Sequence, residues 1–576
     1  MLAPSRQRLL LVAATLFPFA SAGAQVEAWL RPGEAGGDAL GETLATCADR
    51  DGDGVPELLA GAPRSDFAGP SVGRVYVLSG ATGAVLERLD GTMNSELYGD
   101  ALARVEDLDG DGWDDWMVGA PWASIGAART GRAEARSGRD GSLLLTVDGF
   151  EPFSFTGSAV AGLGDANGDG TPDVLVCAPF EDSNGIDSGS VSVHSGVNGV
   201  WIRTHPGDLG GDRLGVSALS LGDVDGDGVG DYGAGTPHGN GGLGLLRVWS
   251  GQTGAVVYTR LGTELDAGFA SAAASVGDLT GDGRREVAIG VPASDLAGTD
   301  AGFVLVINGS TGAFVRQLPG APGERLGASV ADAGDWNGDG TPDVLAGAPG
   351  ATGGGAAYLF SGLDGALLAT FAPEAIDEEL GSSVTGAFDV DGDGRSEVAA
   401  GGRLGDGAGT DSGLVRAWSD HGLLGLSFCA GDGSGASCPC GNSTPDAAGC
   451  ANSSGQGAKL DAAGSASVAT DDLELFGSQL PPGRPTLAIA GTADSNGGAG
   501  LPFGDGLRCV GGTPQYMGVK SPGAGGDASW GPGLAAHHGW ISGDALRFQL
   551  WYRDTVGSPC GAGFNASQGL RVSLLP

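Results

Sequence analysis

The sequence predicts an all-β protein: a seven-bladed β-propeller with calcium-binding loops, followed by a small, disulfide-bonded β-sandwich-like domain. A nine-residue acidic pattern recurs every 54–58 residues, at Asp49, Asp107, Asp165, Asp223, Asp278, Asp335 and Asp389. Glycine accounts for 112 of the 576 residues and punctuates short apolar runs of strand length. Six of the eight cysteines lie after residue 428. A fixed period of this size is typical of repeat architectures.

The composition of the chain excludes some classes of binding partner. The chain carries 70 acidic and 30 basic side chains, a formal net charge of -40, with 41% apolar residues. Nucleic acid needs a basic footprint, so it is excluded as a partner, and cations are expected instead. The apolar content is sufficient for a folded core and does not indicate disorder.

The first 24 residues have the layout of a signal peptide. Arg6 and Arg8 precede an apolar run, and small residues lead to a cleavage site predicted after Ala24. A membrane anchor is the alternative, but the run is shorter than the roughly 20 residues that cross a bilayer. No other segment is long and apolar enough, so we expect no transmembrane segment in the mature chain and a secreted or cell-surface location.

Residues 25–425 are predicted to form the propeller. Around each acidic pattern the same phrases recur: a Gly eight residues earlier, replaced by Ala270 in the fifth unit, then Gly-Ala-Pro or a near variant after the pattern, and an octad such as Gly73 to Gly80. Each unit therefore holds about four strands rich in Val, Leu and Tyr, and radial repetition buries their edges. An open β-solenoid is the alternative, but its rungs are much shorter than these units.

Closure of the ring has two candidate strands. Residues 26–31 resemble the fourth strand of a unit, and residues 423–428 follow the seventh unit directly. The sequence leaves the choice between them open.

The nine-residue patterns are predicted to bind Ca²⁺, up to seven ions in all. Oxygen-bearing side chains at positions 1, 3, 5 and 9 and the carbonyl at position 7 can wrap a hard cation, and Gly at positions 4 and 6 permits the tight turn. The candidate metal ligands are Asp49, Asp51, Asp53, Val55 and Glu57; Asp107, Asp109, Asp111, Trp113 and Asp115; Asp165, Asn167, Asp169, Thr171 and Asp173; Asp223, Asp225, Asp227, Val229 and Asp231; Asp278, Thr280, Asp282, Arg284 and Glu286; Asp335, Asn337, Asp339, Thr341 and Asp343; and Asp389, Asp391, Asp393, Arg395 and Glu397.

Oxygen-only ligand sets favour Ca²⁺ over Zn²⁺ or Cu²⁺, which prefer nitrogen or sulfur. The alternative is that the pattern only forms a tight turn. That would explain one copy, but it does not explain seven copies that all have an acid at position 9. EF-hands and dockerins need flanking amphipathic helices, which are absent from the pattern here. We expect the fifth copy, with Thr280 and Arg284-Arg285, to be the weakest site.

The phrase Tyr98-Gly99, Asp107 to Gly112, Gly119-Ala120-Pro121 resembles the FG-GAP repeat of integrin α-subunit propellers and their bacterial secreted relatives. The resemblance covers residues 25 to about 420, and Gly401-Gly402-Arg403 in the seventh unit departs from it. It implies calcium-binding loops on one face of a seven-bladed propeller and a role in adhesion or extracellular recognition. Integrin ligand binding also uses a second subunit, so ligand identity does not transfer.

Residues 426–576 are predicted to form a Cys-containing, Gly-rich β domain. An even number of cysteines in an exported segment indicates three disulfides whose connectivity the sequence does not determine; they involve Cys429, Cys438, Cys440, Cys450, Cys509 and Cys560. A metal site at Cys438-Pro-Cys440 lacks a matching second pair. Cys47 and Cys177 are expected to be buried and unpaired.

The sequence contains few candidate catalytic residues, and we expect that the protein is not an enzyme. None of the six histidines has the spacing of a nucleophile or zinc site, and Gly239 to Gly244 fits G-x-G-x-x-G without a following helix. We expect a non-catalytic protein that recognises an extracellular protein or polysaccharide, with Trp122 and Trp201 as candidate contacts. The alternatives are a secreted polysaccharide lyase or hydrolase and a structural cell-envelope component.

Overall fold

The structure is a computed structural model. It describes residues 26–373, 375–388, 396–419, 426–431, 436–444, 448–463, 468, 471, 473–523, 525–541, 544–555 and 557–574. The predicted signal peptide and the first seven residues of the seventh acidic pattern, 389–395, lie outside them. The division of the chain at residues 24 and 425 remains a prediction.

The described chain is almost entirely β, which confirms the predicted fold class. Seven four-stranded antiparallel sheets, here called blades 1 to 7, follow one another along it. The N-terminal strand is β1, Val26–Pro32. Blade 1 contains β2 (Thr43–Thr46), β3 (Leu58–Ala62), β4 (Arg74–Leu78) and β5 (Val85–Asp90); blade 2 contains β6 (Ala101–Val105), β7 (Asp115–Ala120), β8 (Arg132–Arg136) and β9 (Leu143–Asp148); blade 3 contains β10 (Ala159–Leu163), β11 (Asp173–Ala178), β12 (Ser190–His194) and β13 (Trp201–Pro206).

The remaining blades repeat this order. Blade 4 contains β14 (Ser217–Gly222), β15 (Asp231–Thr236), a single helical turn α1 (Gly239–Gly242), β16 (Leu245–Trp249) and β17 (Val256–Leu261); blade 5 contains β18 (Ala273–Val276), β19 (Glu286–Val291), β20 (Phe303–Ile307) and β21 (Phe314–Pro319); blade 6 contains β22 (Ser329–Gly334), β23 (Asp343–Ala348), β24 (Ala356–Phe360) and β25 (Leu367–Phe371); blade 7 contains β26 (Leu380–Phe388), β27 (Glu397–Gly402) and β28 (Leu414–Ser419).

The blades form a closed ring. The first strands of successive blades contact one another in sequence, and β26 of blade 7 contacts β2 of blade 1. The N-terminal strand β1 pairs with β28 and supplies the fourth strand of blade 7. Of the two candidates for closure, residues 26–31 therefore close the ring, while residues 426–428 join the C-terminal sheet.

The recurring glycines mark the contact between neighbouring blades. The glycine of Gly-Ala-Pro faces the backbone of the glycine that precedes the next acidic loop: a Cβ on Gly61 would lie 2.2 Å from the Gly99 carbonyl oxygen, and one on Gly119 would lie 2.0 Å from that of Gly157. Since any side chain there would clash with backbone, the two phrases recur together.

The C-terminal part contains two facing sheets. Its strands are β29 (Leu426–Phe428), β30 (Lys459–Ala463), β31 (Glu474–Ser478), β32 (Thr486–Gly491), β33 (Ala493–Asp494), β34 (Leu501–Phe503), β35 (Gly506–Arg508), β36 (Val510–Gly511), β37 (Gln515–Lys520), β38 (Ala528–Trp530), β39 (Ala545–Arg553), β40 (Phe564–Ala566) and β41 (Gly569–Ser573), with a short helix α2 (Leu534–His538) and two 3₁₀ turns (Pro439–Gly441 and Ser495–Gly498). A six-stranded sheet has the order β29-β41-β39-β32-β37 with β40 beside β39, and a three-stranded sheet the order β30-β31-β38. Leu475 and Trp530 of the smaller sheet share one core with Phe548 and Leu550 of the larger one. This is the predicted sandwich.

Three disulfides join the six late cysteines, as predicted: Cys429–Cys509, Cys438–Cys450 and Cys440–Cys560. The pairings remove Cys438 and Cys440 from any metal site. Cys47 and Cys177 are buried free thiols, also as predicted. Within the described residues, no helix is long and apolar enough to span a membrane.

Candidate metal centres and the opposite face

The acidic loops occupy equivalent places in the blades. Each connects the first strand of a blade to the second, and the position-9 acid either begins the second strand, as Asp231 begins β15, or immediately precedes it, as Glu57 precedes β3. In blades 1 to 6, the turn between the third and fourth strands lies at the same end of the blade. The connections that contain Gly-Ala-Pro and those between blades lie at the opposite end. The chain therefore separates an acidic-loop face from a second face.

Backbone N–H groups hold the carboxylates in place, as the fourth loop shows. Asp223 accepts hydrogen bonds from the amides of Gly226 (2.6 Å) and Gly228 (3.0 Å). Asp225 accepts one from Asp227 (3.0 Å), and Asp227 accepts one from Val229 (2.9 Å). The first, second and third loops repeat this scheme. Successive carboxylates are thus turned towards the inside of the loop.

The acid at position 9 also makes hydrogen bonds to a second segment of its blade, which the sequence did not reveal. Asp231 accepts N–H groups from Val224 (2.8 Å) and, with its other oxygen, from Gly251 (2.8 Å) in the turn between β16 and β17. Asp115, Asp173 and Asp343 make the corresponding pairs of bonds. The position-9 aspartate therefore ties the loop to the neighbouring turn of its own blade.

Position 5 is also held by that turn. Asp227 accepts a hydrogen bond from the Ser250 hydroxyl (3.0 Å), and Asp282 accepts one from the Asn308 amide (2.7 Å). Sequence reasoning missed these partners. The available signal was the Ser-Gly or Asn-Gly that ends six of the seven strand octads.

Within the part of the chain that the structure describes, carboxylate oxygens converge in four of the loops. The triplets Asp49–Asp51–Asp53, Asp107–Asp109–Asp115, Asp223–Asp225–Asp231 and Asp278–Asp282–Glu286 each offer oxygens within 4.8 Å of one another. Two oxygens bound at the usual Ca²⁺–O length of about 2.3–2.6 Å lie no more than about 5 Å apart, so the triplets fit one such ion. In the first loop the buried Glu57 also has an oxygen, Oε2, without a hydrogen-bond partner. The donor sets fit a hard divalent cation.

Burial raises the pKa of the position-9 acids of the first six loops. It raises the pKa of Glu57 to about 7 against the lowering effect of backbone N–H bonds, and the charges of Asp51 and Asp49 add to the rise. The pKa of Asp115 rises to about 6 and that of Asp343 to about 7 for the same reasons. Carboxyls that repel one another in a partly buried site are those a cation would stabilise as anions.

The other loops differ. Among the described residues, the acids of the third and sixth loops form no such triplet. Asn167 instead donates to Asp173 (3.2 Å), and Asn337 donates to Asp339 (2.9 Å). In the seventh loop Asp389, Asp391, Asp393 and Arg395 lie outside the described residues, and only Glu397, buried at the start of β27, is seen.

Arg284 acts on a different loop from the one that contains it. Its guanidinium leaves the fifth loop, donates to the carbonyl oxygen of Asp223, and lies 3.4 Å from Asp223 Oδ1. The neighbouring Arg285 turns away and pairs with Asp332 (2.9 Å). The positive charge predicted to weaken the fifth site is therefore placed at the fourth.

The opposite face carries a row of aromatic and arginine side chains, here called the aromatic row. Trp122 and Phe155 are 6.1 Å apart between ring centroids, and Phe155 and Phe180 are 5.1 Å apart. Arg129 stacks on Trp122 at 4.0 Å, and Arg213 stacks on Phe180 at 4.7 Å. All five side chains lie on connections of blades 2 and 3 or the link to blade 4 at this face.

Two further aromatic side chains beside the row are exposed, Phe150 by 82% and Phe153 by 54%. Sequence analysis singled out Trp122 but not its neighbours, because they come from separate connections. Trp201, also singled out, is 60% exposed but lies on the outer strand β13, apart from the row.

Two of the histidines are engaged in packing. His205 stacks on Trp249 at 4.7 Å and its Nε2 contacts the Tyr232 hydroxyl at 2.8 Å. His538 stacks on Trp540 at 5.0 Å. The G-x-G-x-x-G segment forms the single turn α1 between two strands, with Asn240 and Gly241 in left-handed conformations.

Comparison with known proteins agrees with this architecture. Models of the FG-GAP repeat match residues 40–78 and 156–194, and a model of the FG-GAP-like repeat matches residues 278–346. Integrin alpha-3 of Cricetulus griseus is 34% identical over 172 residues, which is 28% of this chain and 15% of the integrin. Integrin alpha-V of Gallus gallus is 29% identical over 211 residues, 33% of this chain and 19% of the integrin.

The chain therefore covers less than a fifth of the length of these relatives. A solved structure titled "Crystal structure of BBS1N in complex with ARL6DN, soaked with lead" aligns with 70% of this chain and 98% of the solved chain, at 11% sequence identity. Its TM-score of 0.44 is too low to support an argument. The chain therefore carries FG-GAP repeats and is similar to integrin α chains over about a third of its length.

Proposed function

We propose that the chain is a secreted, calcium-binding β-propeller that recognises an extracellular protein or polysaccharide and performs no catalysis. The observation that carries the proposal is the division of the ring into two faces: acidic loops at one end of the blades and the aromatic row at the other. The similarity to integrin α chains supports a role in adhesion or recognition. The three disulfides support an oxidising, extracellular location.

Each loop would hold its ion with the oxygen-bearing side chains at positions 1, 3, 5 and 9, which are carboxylates except at Asn167, Thr280 and Asn337. A bound Ca²⁺ supplies positive charge that offsets their mutual repulsion. The chain itself holds the loop in place, because Asp227 is hydrogen-bonded to Ser250 and Asp231 to Gly251. A loop whose charge is neutralised would therefore stay attached to the turn beside it. We therefore assign the loops a stabilising role.

The aromatic row would provide the contact surface. Tryptophan and arginine are enriched among the residues that dominate protein–protein binding energies, and stacked arginine–aromatic pairs are already ordered before a partner arrives. The rings lie edge to face at 61°, which makes no flat platform for a sugar. The geometry thus favours an extracellular protein over a polysaccharide.

The metal part of the proposal is tested by thermal unfolding of the mature protein in millimolar Ca²⁺ and in excess chelator. We expect a lower Tm in chelator. We also expect Asp225→Ala with Asp227→Ala to lose one ion in a calorimetric Ca²⁺ titration, whereas Glu106→Ala, an exposed acid outside the nine-residue patterns, should lose none. An unchanged Tm in chelator contradicts the stabilising role.

The recognition part is tested by affinity capture from the surface proteins and polymers around the producing cells. We expect a protein partner whose retention falls at least tenfold with Trp122→Ala and Phe155→Ala. The control is Trp201→Ala, which removes a more exposed indole, 60% against 36% for Trp122, from another surface. Equal loss in all three variants would contradict the assignment, and capture of a glycan that is lost on the same two substitutions would shift it to polysaccharide. Release of shortened glycan would show catalysis.

A further inference from the structure

A cavity of about 120 Å³ lies between blades 4 and 5, away from the aromatic row. Its apolar floor belongs to the packed core between these blades and includes Phe269, Val291, Phe303 and Leu305. Leu261, Leu296 and Phe314 line it while remaining 45%, 66% and 59% exposed. The result is an apolar opening that continues onto the surface.

The size of the cavity limits what it can take. Small-molecule sites in proteins usually measure several hundred Å³, whereas an engineered apolar cavity of about 150 Å³ accepts a single benzene ring. This cavity is therefore suited to one aliphatic or aromatic side chain.

One lining residue departs from the pattern of the repeat. Arg260 on β17 pairs with Leu246, the second residue of the third strand. The same register position holds Leu89, Val147, Leu318 and Phe371 in four other blades. Blade 4 thus places a guanidinium where most blades place an apolar side chain.

The two other polar residues at this register position have partners. His205 contacts the Tyr232 hydroxyl, and Arg31 pairs with Glu34 at 2.9 Å. Within the described residues, Arg260 has no ion-pair partner, and its buried Nε has no hydrogen bond.

The nearby acid does not neutralise Arg260. Glu264 also lines the cavity, but its oxygens accept bonds from the Ser294 hydroxyl (2.6 Å) and from the amide of Asp295 (2.9 Å). A ligand carboxylate would supply the missing ion-pair partner of the Arg260 guanidinium, because guanidinium and carboxylate form paired, charge-assisted hydrogen bonds.

We propose that this cavity binds the carboxyl-terminal residue of a polypeptide that ends in an aliphatic or aromatic side chain. Such a residue carries its side chain and its carboxylate on one α carbon, so the side chain enters the cavity while the carboxylate meets Arg260. Leu261, Leu296 and Phe314 contact the preceding residues of the peptide. The site is independent of the acidic loops and of the aromatic row.

The test uses two peptides and the full mature protein. Acetyl-Gly-Gly-Leu with a free carboxylate and its carboxamide are titrated by saturation-transfer NMR and calorimetry. We expect the free acid to bind at least tenfold more tightly than the amide. Equal binding of the two peptides, or no saturable binding of either, overturns the proposal.

Substitutions assign the binding to the cavity. Arg260→Leu introduces the residue found at this position in blades 1 and 5, so the fold should be retained, and it should abolish the preference for the acid. Leu296→Asp should weaken both peptides. Arg285→Leu removes an exposed guanidinium of blade 5 that pairs with Asp332 and should change neither affinity. Preference for the acid that survives Arg260→Leu, or binding of 4-methylpentanoate as tight as that of the peptide, excludes a polypeptide end as the occupant.

Discussion

Arg284 donates a hydrogen bond to the backbone carbonyl of Asp223, so a side chain of the fifth acidic loop lies on the first residue of the fourth. The guanidinium also passes over Gly226, where an added Cβ would lie 2.8 Å from Nη2. The backbone carbonyl of Arg284 is a candidate ligand in the fifth loop, while its guanidinium lies at the fourth loop. The two candidate metal centres are therefore physically linked.

Arg284→Gln is expected to strengthen Ca²⁺ binding at the fourth loop. A positive charge near Asp223 competes with a cation, and two unit charges a few ångströms apart at a protein surface interact by about 1 to 4 kcal/mol. Partial solvent exposure reduces this, so we expect roughly a three- to tenfold gain in affinity, measured by calorimetric titration.

The gain should vanish when Arg284→Gln is combined with Asp225→Ala and Asp227→Ala, which remove the fourth site. Arg285→Gln is the matched control and should have no effect. A gain that persists in the combined variant would place the effect at another loop.

Asp231→Asn should destabilise the protein even in chelator, whereas Asp227→Asn should do so only in Ca²⁺. Asp231 is fully buried and both its oxygens accept backbone N–H groups, so an amide –NH₂ would face a donor and cost about 1–3 kcal/mol. Asp227 is more accessible, and an asparagine there can still accept the Val229 amide. Urea unfolding in both buffers separates the two roles; equal losses in chelator would contradict the distinction.

His205 should make the protein less stable as the pH falls from about 6.5 to about 4. Burial lowers the pKa of this histidine to about 4, and the charges of Arg203 and Arg247 add to the shift. The unfolded chain takes up a proton near its ordinary pKa of about 6.5, whereas the folded chain does not until about 4, so the stabilising contribution is complete above 6.5 and is lost below it. With allowance for partial exposure, the loss is roughly 2 kcal/mol.

The variant that isolates this contribution is His205→Phe. Phenylalanine keeps an aromatic ring against Trp249, and Phe371 occupies the same register position in blade 6. Carboxylates titrate in the same range in both proteins, so the informative quantity is the difference between the two curves of Tm against pH. Parallel curves between pH 7.5 and 4.5 would show that His205 contributes no such dependence.

The sequence was sufficient for the blades and the acidic loops because both depend on local patterns that repeat with one period. It left closure open because residues 26–31 and 423–428 have the same strand-like pattern, and only pairing with β28 distinguishes them. The Arg284–Asp223 contact was not predictable, since it depends on the distance between neighbouring blades. The aromatic row was missed for the same reason: Trp122, Phe155 and Phe180 meet only when three connections are placed side by side.

Trp29 is expected to determine how firmly the ring is closed. It lies on β1, is 8% exposed, and its indole Nε1 donates to the Gly80 carbonyl of blade 1 at 2.8 Å while its strand pairs with blade 7. A Cβ on Gly83 would lie 2.5 Å from the indole ring, so the ring packs directly on the blade 1 turn. One side chain thus joins the first blade to the last.

Trp29→Ala should lower the free energy of unfolding by about 3–5 kcal/mol, as expected for a buried tryptophan. Trp29→Phe retains apolar contact but loses the hydrogen bond, so its cost should be smaller. Leu30→Ala, on the same strand with a side chain 40% exposed, is the control and should cost less than either. Urea unfolding in saturating Ca²⁺ measures all three. A Trp29→Ala protein as stable as Leu30→Ala would mean that backbone pairing of β1 with β28 closes the ring without help from the indole.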